Sequence, residues 1–300
     1  MILCDTHADT LFEMGVKGNR SPLITAASLL AGGLSLQVLA LWSGPDGNAG
    51  EPELIVQREL NAFETLLQEG LPQVRNPREA MEGKPALMLS IEGCEVFESG
   101  LDAVDRYAER GVRMAALVWN HENKFAKPAK SGSREGLSED GLSVALHMQR
   151  LHMAVDVSHL NEQGFLDLFL KTKAPPLASH SCCDALCPHF RNLTDEQIRI
   201  MIRNGGYIGV NFYPLFLTGG AADIGDVVNH IDHICQLGGS KHVGFGSDFD
   251  GIEVTPDGLA SPADFPKLPE LLRNRGYRDK DVEAIAGLNL LAYFDRVDAV

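Results

Sequence analysis

Short runs rich in Val, Ile and Leu recur along the chain at residues 2–4, 34–42, 86–91, 114–119, 153–157, 176–179, 207–211 and 242–246. Within each run apolar residues follow one another instead of alternating with polar ones. That is the pattern of a strand buried on both faces, as in a parallel sheet covered by helices. The stretches between them carry apolar residues at three- and four-residue steps. "EPELIVQRELNAFETLLQEG" has Pro52 early and Gly70 as its stop, "GLSEDGLSVALHMQRLH" offers Ser138 as N-cap, and "LTDEQIRIMIRNGG" offers Thr194 as N-cap with Gly205 at its end. Eight β–α alternations predict a parallel sheet, and eight units in one chain predict its closure into a (β/α)8 (TIM) barrel. An open doubly wound sheet is the alternative, but no G-x-G-x-x-G follows the first strand. No repeat, low-complexity tract or linker interrupts residues 1–300, and "HENKFAKPAKSGSREGLS" reads as a long loop, so a single catalytic domain is expected.

Composition fits this picture and narrows the partners. The 300 residues suit one such barrel, which needs about 250, and 44% hydrophobic with 22% charged residues is the make-up of a globular chain. No apolar run approaches the roughly 20 residues that span a bilayer. The N-terminus has neither a basic stretch nor a small-residue cleavage site, so a soluble, cytoplasmic protein starting at residue 1 is expected. A net charge of −15 with no cationic cluster argues against nucleic acid and anionic membrane as partners. The six cysteines show no disulfide framework. "CCDALCPH" lacks the second paired knuckle of a thiolate metal site, so reduced, buried thiols are expected.

The ends of the proposed strands carry the chemistry. In such a barrel active residues follow the carboxyl ends of the strands. In turn come Asp5, His7 and Asp9; Glu92 in "SIEG"; His121 in "WNHEN"; His159 in "VDVSH"; His180 in "ASHS"; Asn211 and Tyr213 in "VNFY"; and Asp248 and Asp250 in "GFGSDFDG". Only the second strand, ending in "LWSG", contributes no ionisable group. Turn formers explain Asp and Asn at such places but not His. Four histidines at four strand ends would converge on one rim, as a metal centre requires.

On an extended backbone residues i and i+2 face the same side, so His7 and Asp9 are expected to project together. His159 and His180, from adjacent strands, form a second pair of nitrogen ligands, and Glu92 has two oxygens with which to bridge. Imidazole and carboxylate suit Zn²⁺ or a similar divalent ion. Two ions sharing Glu92 would hold a bridging hydroxide at neutral pH. Asp248 is then the candidate general base and acid.

These stretches, with "LVWNHEN", "MAVDVSHL", "ASHSCCDALCPHFRNLTDEQI", "GYIGVNFYPLFL" and "AGLNLLAYF", occur in an order that resembles the membrane dipeptidase (renal dipeptidase) family of binuclear zinc peptidases. The resemblance implies an amidohydrolase-like barrel, a homodimer, two Zn²⁺ per subunit and hydrolysis of small dipeptides, including some with a C-terminal D-residue. It implies that His7, Asp9 and Glu92 bind one zinc and that Glu92, His159 and His180 bind the other. His121 would contact substrate and stabilise the oxyanion, Arg191 would pair with the substrate carboxylate, Tyr213 would lie beside it, and Asp248 would shuttle the proton. His189 has no counterpart, and His147, His152, His230, His233 and His242 are expected in packing or surface positions. Cys94, where many members carry glycine or alanine, is expected to add bulk beside Glu92. Competing readings are a related amidohydrolase acting on N-acyl amino acids or lactams, and a non-catalytic barrel of the same family.

Overall fold

The computed structural model describes residues 1–44 and 51–300. Eight strands, β1 (Cys4–Asp5), β2 (Leu36–Trp42), β3 (Ala86–Glu92), β4 (Val112–Ala116), β5 (Ala154–Asp156), β6 (Leu177–Ala178), β7 (Tyr207–Val210) and β8 (Val243–Phe245), form a closed barrel in chain order. Every pairing is parallel, including the closing one, which sets Asp5 against Phe245. The (β/α)8 expectation therefore holds.

The helices start where the sequence signals them. The helix Pro52–Gln68 has Pro52 in its first turn, and the chain leaves through Gly70 at φ +94°, a conformation open to glycine without strain. Ser138 caps Glu139–Arg150 by accepting the Gly141 N–H at 2.9 Å. Thr194 and Gln197 form a reciprocal capping box at the start of Asp195–Arg203. The stretch expected as a long loop carries only a single 3-10 turn, Ala129–Ser131, before Ser138. Among the described residues no helix is long and apolar enough to cross a membrane.

The apolar core has two parts. One fills the space between strands and surrounding helices, with Leu39, Leu41, Leu87, Leu89, Ile208 and Val210 facing Phe63, Val104, Ile198 and Ile231. The other joins the strand starts, Cys4, Leu36, Ala86, Leu177 and Tyr207, to Leu290, Tyr293 and Phe294 of the helix Asn289–Asp298. Apolar packing thus occupies the amino ends of the strands, while polar side chains gather past their carboxyl ends. Thr6, just after β1, is buried with its Oγ1 2.6 Å from Ser179 O and 2.8 Å from Phe245 O, which ties the first, sixth and eighth strand ends together.

Candidate metal centre

His7 and Asp9 flank Ala8, which makes a parallel bridge to Phe249, so the backbone is locally extended and both side chains reach one side. Asp9 is the N-cap of the helix Thr10–Gly15 but makes no capping bond, which leaves its carboxylate for the centre. Glu92 ends β3, in register with Trp42 and Ala116. His159 and Asp248 sit three residues past β5 and β8 at φ +71° and +63°. Non-glycine residues in this region cost about 1–3 kcal/mol and persist where the surroundings hold them, often at working sites. A Cβ on Gly251 would lie 2.0 Å from Asp9 Oδ2 and 2.7 Å from Asp248 Oδ1, so any larger residue there would displace the two carboxylates.

His7 Nε2 lies 3.4 Å from Asp9 Oδ2, 3.8 Å from Glu92 Oε1 and 3.7 Å from Asp248 Oδ1. Glu92 Oε1 is 2.8 Å from His159 Nε2 and 3.4 Å from His180 Nε2, and the two histidine nitrogens are 3.1 Å apart. The His7 and His180 rings stack at 3.8 Å. Three overlapping groups result: His7–Asp9–Glu92, Glu92–His159–His180 and His7–His180–Asp248. All five residues expected as ligands are thus brought together.

These contacts fit cations better than hydrogen bonds. His7 Nε2 is buried without a hydrogen-bond partner. Asn120 Oδ1, 3.0 Å from His159 Nδ1, can only accept, so that proton sits on Nδ1. In the neutral ring a bare Nε2 then faces Glu92, an arrangement a divalent ion bound to nitrogen and oxygen donors would relieve. The electrostatics point the same way. Burial disfavours a charged His7, yet Asp9, Glu92 and Asp248 outweigh it and raise its pKa to about 10. Burial, reinforced by Asp9, pushes Glu92 well above the carboxylate range. Burial pushes His159 and His180 well below the usual imidazole value, with Arg191 and His7 adding to it. Of the three imidazoles His7 is the one held in its charged form, while His159 and His180 are held neutral, and the clustered carboxylates favour positive charge in their midst.

The centre opens into a cavity of about 590 Å³ lined by Asp9, Glu92, His121, His159, His180, Arg191, Tyr213 and Asp248, while His7 is buried and does not line it. Arg191 is buried, its Nη2 3.4 Å from His180 O and its guanidinium 5.5 Å from the centre of the Phe216 ring. Asn211 donates to Asp248 Oδ2 at 2.8 Å and accepts the Tyr213 N–H at 2.6 Å. Burial, reinforced by Asp9 and opposed by His7, Asn211 and Arg191, pushes Asp248 up to about 6. Burial and Glu253 push the Tyr213 phenol up to about 12. His121 is exposed on the rim, its ring 5.5 Å from that of Trp119.

Several expectations need correcting, and several lining groups were not foreseen. Cys94 adds no bulk to the cavity: its thiol is buried and donates to Ala116 O at 3.2 Å, on the core side of the strand end. Asp5 belongs to the scaffold, accepting from Ser247 N–H, Ser247 O–H and Gln37. Asp250 accepts from Thr10 O–H and from the Leu23 and Ile24 N–H groups. The cysteines follow expectation: all six are free, and Cys182, Cys183 and Cys187 donate to three separate carbonyls instead of converging. An aromatic wall of Phe12, Trp42 and Trp119, with edge-on ring contacts at 4.8 and 5.1 Å, had no sequence signal beyond its residue types.

The family model described as membrane dipeptidase (Peptidase family M19) matches residues 1–300. An uncharacterized dipeptidase of Schizosaccharomyces pombe is 35% identical over 226 residues, covering 73% of this chain and 54% of that protein. Dipeptidase aclJ of Aspergillus oryzae is 32% identical over 253 residues, 82% of this chain and 60% of that one. The chain thus spans between half and two thirds of the length of these two relatives. Among solved structures, a dipeptidase AC described as a family M19 metallopeptidase superimposes with a TM-score of 0.87 at 26% identity, covering 99% of this chain and 98% of that one. A metallopeptidase from Rhodobacter sphaeroides, liganded with a phosphinate mimic of the dipeptide L-Ala-D-Ala, gives 0.89 at 24% identity over 99% of both chains, a likeness of fold.

Proposed function

The chain belongs to the membrane dipeptidase family, Peptidase family M19, and on that premise we propose that it is a metal-dependent dipeptidase hydrolysing the single amide bond of a small dipeptide. One observation carries the reading: Glu92 Oε1 lies within 3.8 Å of nitrogens from His7, His159 and His180, and is shared by two candidate ligand groups. Under this reading His7, Asp9 and Glu92 hold one divalent ion and Glu92, His159 and His180 a second. The mix of nitrogen and oxygen donors suits zinc. When bound, such a pair polarises the scissile carbonyl and acidifies water toward neutral pH.

The side chains of the cavity supply the rest. Arg191 presents a fork of donors that fits the two oxygens of the substrate's C-terminal carboxylate, with Tyr213 beside it. His121 on the rim donates to the carbonyl oxygen as it gains charge. Asp248, its Oδ2 held by Asn211, takes a proton from the attacking water as the oxygen–carbon bond forms. It returns that proton to the amine nitrogen as the carbon–nitrogen bond breaks.

The substrates to screen include dipeptides with a C-terminal D-residue, as in the mimic bound to the Rhodobacter sphaeroides protein. A cytoplasmic homodimer belongs to the same proposal and is checked by sedimentation and fractionation. The deciding experiment measures metal content alongside hydrolysis of L,L- and L,D-dipeptides. Chelation and dialysis should abolish turnover and Zn²⁺ should restore it, whereas undiminished hydrolysis by verified metal-free protein rules the mechanism out.

A further inference from the structure

Behind His180 stands a buried chain of polar groups that the proposed reaction does not use. Asp156 ends β5, and its Oδ1 accepts the backbone N–H groups of Ser158 at 2.9 Å and Ser179 at 3.0 Å. The Ser179 hydroxyl donates to Asp156 Oδ2, and Ser179 Oγ lies 2.7 Å from His180 Nδ1. Asp156, Ser179 and His180 are all at most 3% exposed, so water does not compete for these bonds.

We propose that Asp156 and Ser179 are positioning residues, a carboxylate–hydroxyl relay that holds His180 in the Nδ1–H tautomer with Nε2 bare. A hydroxyl has one proton to give. Given to the Asp156 carboxylate, where the bond is charge-assisted, it leaves only lone pairs facing the imidazole. Nδ1 must then be the donor. The opposite polarity would set a bare hydroxyl oxygen against Asp156 Oδ2 in a buried site, which is costly. Oδ1 cannot exchange roles with Oδ2, because two backbone donors already fix its orientation.

Ser179 has no freedom to leave this arrangement. Its carbonyl oxygen lies 2.6 Å from Thr6 Oγ1, and a Cβ on Gly209 or Gly246 would come within 2.2 or 1.9 Å of it. The two histidines of this group are therefore held differently. His159 Nδ1 donates to the neutral amide oxygen of Asn120, while His180 Nδ1 leans through a hydroxyl on a full negative charge. Such a partner fixes ring orientation and raises the basicity of the other nitrogen. In the role given to His180 in the proposed function, on which this consequence rests, it would be the stronger of the two donors.

Asp156→Asn tests the relay with almost no change in shape. The amide oxygen would take the Oδ1 place, where two N–H groups point. The NH₂ group would then face Ser179 Oγ and donate to it, so Ser179 turns its proton to His180 Nδ1 at 2.7 Å in preference to Ser158 Oγ at 3.4 Å, and the imidazole proton moves to Nε2. Long-range ¹H–¹⁵N spectra of metal-free protein with labelled histidine read the tautomer directly. Zn²⁺ competition against a chromophoric chelator reads the effect on binding.

We expect His180 as Nδ1–H in the parent protein and as Nε2–H in D156N, with Zn²⁺ affinity about 10–100-fold weaker. Ser179→Ala, which removes the acceptor without reversing it, should give both tautomers and a smaller loss. A parent His180 found as Nε2–H, or a D156N spectrum with the parent tautomer, overturns the relay. A reversed tautomer in D156N with unchanged Zn²⁺ affinity upholds the relay and instead removes His180 from the proposed metal ligands.

Discussion

Arg191→Ala probes the anchoring end of the substrate. The guanidinium is 5% exposed, and among the described residues its side chain makes one hydrogen bond, at a long 3.4 Å to His180 O. Guanidinium has five N–H donors, so most remain for a ligand in the cavity. Burial lowers its pKa while Asp248 and Glu92 act against that, and the group stays cationic. At about 4 Å and an effective dielectric of about 20, its attraction for a carboxylate is about 4 kcal/mol before desolvation. Hydrogen bonds to charged groups net about 1.5–3 kcal/mol. A loss of about 3 kcal/mol corresponds to a fall of roughly 150-fold in kcat/KM.

Removing Arg191 also takes away its contacts with His180 O and the Phe216 ring, which any substrate would feel. The assay is therefore a cycle: parent and R191A, each with a free dipeptide and with the same dipeptide as its C-terminal amide. Damage to the centre lowers both rates equally and cancels, while the carboxylate contact appears as a coupling of about 3 kcal/mol. Arg191→Lys keeps the charge but not the fork and should fall between. Equal loss on acid and amide, with a coupling below about 0.5 kcal/mol, would show that Arg191 does not hold the carboxylate.

Asp248→Asn keeps the hydrogen-bonding shape but not the proton chemistry, so metal content should be unchanged while kcat falls by about 10²–10⁴; near-normal kcat would take Asp248 out of proton transfer. His230 lies outside the centre, 1% exposed, with its Nδ1 accepting the Cys183 N–H and its Nε2 donating to Leu217 O, each at 3.0 Å. Burial, opposed by the Leu217 bond, lowers its pKa below the ordinary 6.5. The unfolded chain therefore takes up a proton below that value while the folded one resists, so its stabilising contribution is complete above pH 6.5 and is lost as pH falls. His230→Leu should cost about 1–3 kcal/mol by orphaning the Cys183 N–H and should flatten the acid side of the curve. Urea unfolding across pH checks this, and parallel curves for parent and variant would refute it.

The strands were legible because two-sided burial writes them as unbroken apolar runs. Their ends were less so. The run at 114–119 suggested a strand reaching Trp119, but pairing stops at Ala116. Leu117 O instead accepts from Asn123 and from the Cys94 N–H, turning the chain out so that Trp119 and Asn120 line the cavity. The run at 176–179 shrinks to Leu177–Ala178 because the Ser179 N–H and hydroxyl go to the Asp156 side chain instead of a backbone carbonyl of a neighbouring strand. At both places a side-chain bond joins in where the ladder ends, and sequence carries no record of which partner will be near.

The same distinction separates the candidate ligands from the groups that hold them. A histidine after a strand stands out because turn chemistry has no use for it, so His7, His121, His159 and His180 could be picked out singly; three of them meet at the centre, while His121 stays on the rim of the cavity. Asp156, Asn120 and Ser179 are ordinary residues for a strand end or turn, and their part in the centre depends on what lies across the barrel. Gly251 is ordinary in the same way until Asp9 and Asp248 close around it. Closure itself creates the centre's electrostatic demand, because it buries Glu92 and Asp248 against Asp9, with the buried Arg191 guanidinium acting against their repulsion. Each carboxylate is unremarkable in its own segment. Only the ring of eight strands makes their repulsion a property of one site, and the divalent ions of the proposed function would answer that repulsion without requiring His7 to stay protonated.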